Sequence, residues 1–580
     1  MWRAVRMLAS LSPRNPDPGD ELAAAARFLG GPEAATWIRA ADGAGSLVAG
    51  IAGVVAVGVA LARPSSLPVA LPLSVALVIG ARYGVRALPV FLATVRRSAA
   101  LGLAPALVAR MALGMRVEPT PEAAVDAGRE LDGPLGETLD RHARAAAGTG
   151  RTGLRAFADA WSTEFPSLGR ACSLLHAAAG TPPDRRGRAL GRATDAVLEG
   201  TRDRTASFAT ALRGPAAALY AFGVLLPTAL VGVLPAARAA GLAVGLPLLA
   251  LVYDVLLPGG LCLAGAWLLA RRPVVFPART VPRSHPERLP WRRSLGLGVG
   301  VSLTAGLTGA LVLAPWFGPV AGIGAGVGAA LTHQLRPAVA VRERVRELER
   351  ELPDALSFVG GRVADGTAIE RALADAADRL DGPAGAFVAR GVERGERLGT
   401  TVEGSFGDAL ATLPSHRAER AVSLFTVAAR EGPPAGDSLV RWADHLERLD
   451  EVEREARRDV ARVAGTLSNT AAVFGPLVAG VTVGLAGRLA AGTGAAEGAG
   501  AGSVGAASVP GATAATTLPV GGLGLVVGGY VLWSAAVLPA LAVGLERGFD
   551  PAVVGRRVGR SLPLAAATFG VAYALTAAIA

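Results

Sequence analysis

Lysine is missing from this chain: all 58 basic side chains among its 580 residues are arginine. Together with abundant Ala, Gly and Pro, this reflects a GC-rich genome rather than a mechanism. It still excludes one chemistry, because a G-x-x-x-x-G-K-[ST] phosphate loop cannot be built without lysine. Cysteine is nearly absent. Cys172 and Cys262 fall in a segment expected to be aqueous and in a segment expected to be membrane-embedded, so no disulfide joins them. The six histidines (His142, His176, His285, His333, His416 and His445) are scattered, and no Cys/His cluster has metal-ligand spacing. Neither H-E-x-x-H nor G-x-S-x-G occurs. Aromatic residues make up only 5%, too few for base-stacking platforms. The expectation is a protein that is not an enzyme and has no catalytic residues, no cofactor, no metal and no nucleic-acid partner.

Charge is also scarce. Charged residues make up 18% and hydrophobic residues 51%, and mean hydropathy is +0.41. The charges gather between long apolar runs, which read as membrane-spanning helices where they reach about 18 residues. The net charge of +11 comes from arginines flanking those runs, as the positive-inside rule expects of cytoplasmic loops. The predicted fold is an all-α polytopic membrane protein with about nine transmembrane helices and two cytoplasmic α-helical bundle domains.

Residues 1–43 form a polar cytoplasmic segment, in which Asp20 can cap a short helix running to Leu29. The first long apolar run begins near Ala44, too late for a cleavable signal peptide. A transmembrane pair occupies 44–85, with spans at 44–62 and 66–80. A first helical domain covers 86–214, broken at Gly133-Pro134, Phe165-Pro166 and Pro182-Pro183. A second pair occupies 215–270 (215–235 and 241–270). The connection 271–293 carries Arg271, Arg272, Arg279, Arg283, Arg288, Arg292 and Arg293, the strongest cytoplasmic signal in the chain. A third pair occupies 294–331 (294–313 and 316–331), and a second helical domain covers 332–466. The fourth pair, 467–545, encloses a flexible outer loop at 491–518. Segment 561–580 is the ninth span.

The two halves repeat each other. Leu131-Asp132-Gly133-Pro134-Leu135-Gly136 returns as Leu380-Asp381-Gly382-Pro383-Ala384-Gly385. Phe157-Ala158-Asp159-Ala160 returns as Phe406-Gly407-Asp408-Ala409, Arg170-Ala171-Cys172-Ser173-Leu174 as Arg420-Ala421-Val422-Ser423-Leu424, and Ala221-Phe222-Gly223 as Val473-Phe474-Gly475. The order is preserved at a spacing of about 250 residues, the signature of a tandem duplication.

Three groups of residues are candidates for function. Asp254 lies within a predicted span, where an ionisable side chain is costly unless paired or hydrated; Arg238 is a possible partner. Gly318, Gly322 and Gly326 share one helix face, as do Gly296–Gly300 and Gly524–Gly528. Such stripes suit helix packing within the chain, dimerisation or a groove for another protein's helix. The charged runs from Val341 to Leu352 and from Arg441 to Arg462 read as solvated helix faces with local ion pairs, or as stalks that transmit movement.

The sequence Glu351-Leu352-Pro353-Asp354-Ala355-Leu356, followed by Gly366-Thr367-Ala368-Ile369-Glu370-Arg371-Ala372-Leu373, resembles the F-domain of type II secretion and type IV pilus platform proteins. The motif positions are Leu352, Pro353, Asp354, Gly366, Ala372 and Leu373, and Gly404-Ser405-Phe406-Gly407-Asp408-Ala409-Leu410 resembles the second step. The resemblance covers most of 342–485 and, more faintly, 110–235. Two copies resemble the archaeal branch, which includes archaellum and tight-adherence-type platforms. At the first entry, Met111-Ala112-Leu113-Gly114-Met115-Arg116-Val117-Glu118-Pro119 replaces the motif. The resemblance implies an inner-membrane platform protein whose partners are a cytoplasmic hexameric secretion ATPase and pilin-like subunits, with a homodimer possible. A second class, a transporter with parallel repeats, would give Asp254 a natural role.

Overall fold

A computed structural model of the chain describes residues 2–12, 17–62, 67–131, 133–148, 152–239, 245–272, 289–499, 520–548 and 550–579. Among the described residues every regular element is helical. Seven helices among the described residues are long and apolar enough to cross a membrane: Leu77–Leu101, Arg185–Leu234, Leu246–Arg271, Trp291–Val312, Val460–Arg488, Val520–Arg547 and Pro551–Ala578. The Trp291–Val312 helix is about 33 Å long, close to the thickness of a hydrocarbon layer. Its Leu303, Leu307 and Leu311 form an outward stripe 69%, 64% and 77% exposed. So much leucine facing water would be unfavourable; facing lipid it is not.

The expected nine spans differ from these seven in two places. Segment 316–331 opens a 48-residue helix, Phe317–Ala364, whose many glycines dilute its hydropathy. Helices Ala34–Ala62 and Leu67–Leu101 flank the first connection, and much of the expected spans 44–62 and 66–80 lies outside the residues whose side chains are described. Residues 63–66, the basic connection at 273–288 and loop residues 500–518 lie outside the described residues. The helix Gly475–Ala499 runs into what the sequence marks as the start of that loop.

Proline placement explains many of the helix starts. Pro121, Pro134, Pro166, Pro183, Pro433 and Pro551 each open a helix, where a missing amide hydrogen costs nothing and a fixed φ helps. The helices Ala104–Val117, Pro121–Arg129, Pro134–Ala146, Gly153–Ser162 and Pro166–Ala179 enclose one core with the start of Pro183–Tyr220. At its centre are Leu107, Met111, Leu135, Leu139, Phe157 and Leu168, all fully buried. The second core lies between the end of Phe317–Ala364 and the start of Pro433–Asn469, with Ile369–Arg379, Gly382–Leu398 and His416–Glu431 between them. Phe387, Phe406 and Phe425 are its largest members, and each buried aromatic contributes about 1.5–3 kcal/mol relative to exposure.

The repeated segments have matching local geometry. Gly133 and Gly382 both take positive φ just ahead of a proline. A β-carbon at Gly136 would collide with the Leu131 carbonyl, and one at Gly385 with the Leu380 carbonyl. Each helix therefore crosses the chain at a point only glycine fits. The entries differ: the first helix path breaks at Gly102-Leu103, whereas the second runs unbroken from Phe317 to Ala364.

Candidate functional site

Two long rods connect the helical cores to the apolar bundle. One is Pro183–Tyr220, a π-helical turn at Ala221–Leu225, and Leu226–Ala239. The other is Pro433–Asn469, a π-helical turn at Thr470–Phe474, and Gly475–Ala499. They run side by side. Asp195 pairs with Arg448 at 2.6 Å and Arg202 with Glu455 at 2.7 Å, and both pairs are separated by 253 residues. A constant separation means parallel helices in fixed register, with the two contacts two turns apart. All four side chains are more than 40% exposed, so each pair contributes under about 1 kcal/mol and serves alignment more than stability.

The π turns share a cause. The turns at Ala221–Leu225, Leu251–Leu256 and Thr470–Phe474 are followed, two residues on, by Pro227, Pro258 and Pro476. Proline lacks the amide hydrogen and its ring crowds the carbonyl one turn back, so the helix widens ahead of it. The turns of the two rods touch: a β-carbon at Gly475 would lie 2.9 Å from Val224 Cγ1. The hydroxyl of Tyr530 donates to the Gly223 carbonyl, which Pro227 leaves short of a donor, and Tyr253 donates to the Pro227 carbonyl. The two tyrosine rings meet edge to face at 5.6 Å. The cavity they share with Thr228 and Ser534 holds about 10 Å³. The sequence signal for these turns is Gly223 followed by Pro227, and Gly475-Pro476, beside Phe222 and Phe474.

Asp254 occupies the Leu251–Leu256 π turn, on the outer face of the bundle, where its Oδ1 would lie 3.2 Å from a β-carbon at Gly529. No ion pair holds it among the described residues. The side chain of Arg238, its expected partner, lies outside them.

The glycine face is occupied within the chain. A β-carbon at Gly318 would lie 3.0 Å from the Gly306 carbonyl oxygen, at Gly322 2.9 Å from that of Ser302, and at Gly326 2.7 Å from that of Gly298. All three contacts belong to the neighbouring Trp291–Val312 helix, so the stripe is a packing seam and not a groove open to a second protein. A second stripe went unread. β-Carbons at Gly324 and Gly328 would lie 2.9 and 2.6 Å from Ala566 and Pro563 of the Pro551–Ala578 helix. β-Carbons at Gly524 and Gly528 would lie 2.6 Å from Trp316 and Val320, while at Gly296 and Gly300 they would meet nothing within 4 Å.

The motif residues are structural. Leu352, Pro353, Ala372 and Leu373 are buried in the second core, Asp354 is exposed, and Gly366 ends the long helix at φ 89°. The charged runs are largely exposed and keep local pairs such as Arg457 with Glu453, as expected, but several of their members also reach partners on other helices. Glu351 accepts from the Ala384 amide at 3.1 Å, and the Ser415 hydroxyl donates to Glu349 at 2.5 Å. Arg342 lies 2.6 Å from Asp550 as an ion pair not aligned as a hydrogen bond, and Arg556 lies 3.0 Å from Glu343. Burial lowers the Arg342 pKa, and Asp550 opposes that shift. Burial would also lower that of Arg417, but Asp450, Glu349 and Glu453 outweigh it and hold it above the usual range. These contacts tie the second core to the long helix that carries it and that helix to the final one.

Compared with family models, characterised proteins and solved structures, the chain matches none.

Proposed function

We propose that this protein is a membrane platform for assembling a filament of the type IV pilus class. The observation carrying the proposal is mechanical: two helical cores stand side by side on long rods that run into the apolar bundle in fixed register. The tandem arrangement is supported by the repeated segments, by the matching glycine crossings and by π turns about 250 residues apart in the two rods. The resemblance of 342–485 to the F-domain supplies the rest. Both cores face the cytoplasm in the cell membrane, where a hexameric secretion ATPase engages them. Displacement of a rod is passed to the bundle, and pilin-like subunits are moved from the bilayer into the filament. Asp254, acidic and outward-facing beside Gly529, is the candidate contact for such a subunit.

The test is co-purification. Detergent-solubilised protein should recover the ATPase, and deletion of 332–466 should abolish recovery. Solute flux through liposomes containing this protein alone would favour a transporter instead. Asp254→Asn with unchanged filament assembly would remove that residue from the mechanism.

A further inference from the structure

Where the two cores meet there is a cleft of about 240 Å³. The first core contributes Arg116 and Asp195, and the second contributes Arg441, Trp442, Asp444, His445 and Arg448. Its charges are not balanced. Arg116 is half-buried and has no carboxylate partner among the described residues. Burial lowers its pKa, and the charge acting on it besides is that of another arginine, Arg441. Arg441 itself has only a loose contact with exposed Asp437 at 3.8 Å. Asp195 is engaged by Arg448, and Asp444 is exposed at the rim. Two nitrogens beside the cleft, Trp442 Nε1 and His445 Nε2, are sealed from solvent and lack hydrogen-bond partners within the protein. His445 is only 9% exposed, and a buried polar atom without a partner is costly.

We infer that this cleft binds a compact phosphate-bearing anion, which bridges the two cores. Two guanidinium groups that line one cleft and repel each other, neither closely paired with a carboxylate, fit such a group, since arginine offers forked donors to oxyanions. The Trp442 ring already packs at a tilt against His445, with centroids 5.4 Å apart and planes at 34°, and Arg420 lies over it at 5.8 Å. The ring face is thus covered, so the site suits a phosphate, a phosphomonoester or pyrophosphate rather than a stacked base. The anion would replace repulsion between Arg116 and Arg441 with attraction and so close the seam beside the Asp195–Arg448 contact. This inference does not depend on the platform proposal, because it concerns the soluble cores alone.

Calorimetric titration of the full-length protein in detergent with inorganic phosphate and pyrophosphate tests it. Saturable binding of one anion per chain is expected. Arg116→Gln and Arg441→Gln should each weaken it about tenfold or more, as expected for losing one charge-assisted contact. Arg213→Gln, outside the cleft, should not weaken it. Without anion, Arg116→Gln should melt no lower than the parent protein, because it removes a repelled charge; this separates lost binding from lost folding. An absence of binding by the parent protein, or undiminished affinity in both arginine variants, would overturn the site.

Discussion

The imidazole of His445 is enclosed in a strongly basic setting. Burial, followed by Arg448, Arg417 and Arg420, pushes its pKa down from 6.5 to about 4. The folded protein therefore keeps this ring neutral across a range in which the unfolded chain protonates it. A base with a lowered folded-state pKa contributes full stability above the unfolded value, and this is lost as pH falls from 6.5 towards 4. The loss is about 3 kcal/mol at most. The thermal midpoint in detergent should fall over that window, and His445→Phe should reduce the drop. Identical pH profiles for the two proteins would show that the ring does not resist protonation. Cys172 follows the same logic with the opposite sign: burial raises its thiol to about 12, leaving almost no thiolate at neutral pH.

At the scale of helices, lipid cannot drive helices together as water does, so close backbone approach has to do it. The Phe317–Ala364 helix is gripped on two faces, by Trp291–Val312 through Gly318, Gly322 and Gly326, and by Pro551–Ala578 through Gly324 and Gly328. A β-carbon at Gly326 would lie 2.5 Å from Ser302 Cβ and 2.7 Å from a backbone oxygen. Gly326→Leu should therefore destabilise the bundle by about 1–3 kcal/mol or more, while Gly300→Leu, with open space around it, should not. Midpoints of thermal aggregation in detergent would separate the two, and equal midpoints would refute the seam. The sequence made the helices legible through apolar run length and proline-opened starts, and it marked the first glycine stripe. It could not say what the stripe touches, because three-residue and four-residue spacing marks a face without naming its neighbour. The partners of Glu349, Glu351 and Arg342 were illegible for the same reason: a charged run shows local pairings, whereas these reach helices many residues away. The π turns could have been read from prolines placed inside apolar runs, but Pro539 and Pro563 sit inside helices that carry no such turn.

For the whole molecule, orientation decides whether a single driver can act on both cores. The Asp195–Arg448 and Arg202–Glu455 pairs hold the rods parallel, and the shared cleft brings Arg116 of one core to Arg441 of the other. Cores in such contact must lie in one compartment, since a hydrocarbon layer of about 30 Å would otherwise separate them. Exposed Ala160 and Ala411 can report this. Cysteines placed there singly should react with a charged, membrane-impermeant maleimide from the same side of sealed vesicles. The native cysteines do not compete, because Cys172 is buried and Cys262 lies within the Leu246–Arg271 span. Labelling both positions only in inside-out vesicles would place the cores in the cytoplasm, within reach of a nucleotide-driven partner. Labelling both only in right-side-out vesicles would remove that partner. Labelling them from opposite sides would break the parallel rods, and with them the route by which a push on either core reaches the bundle.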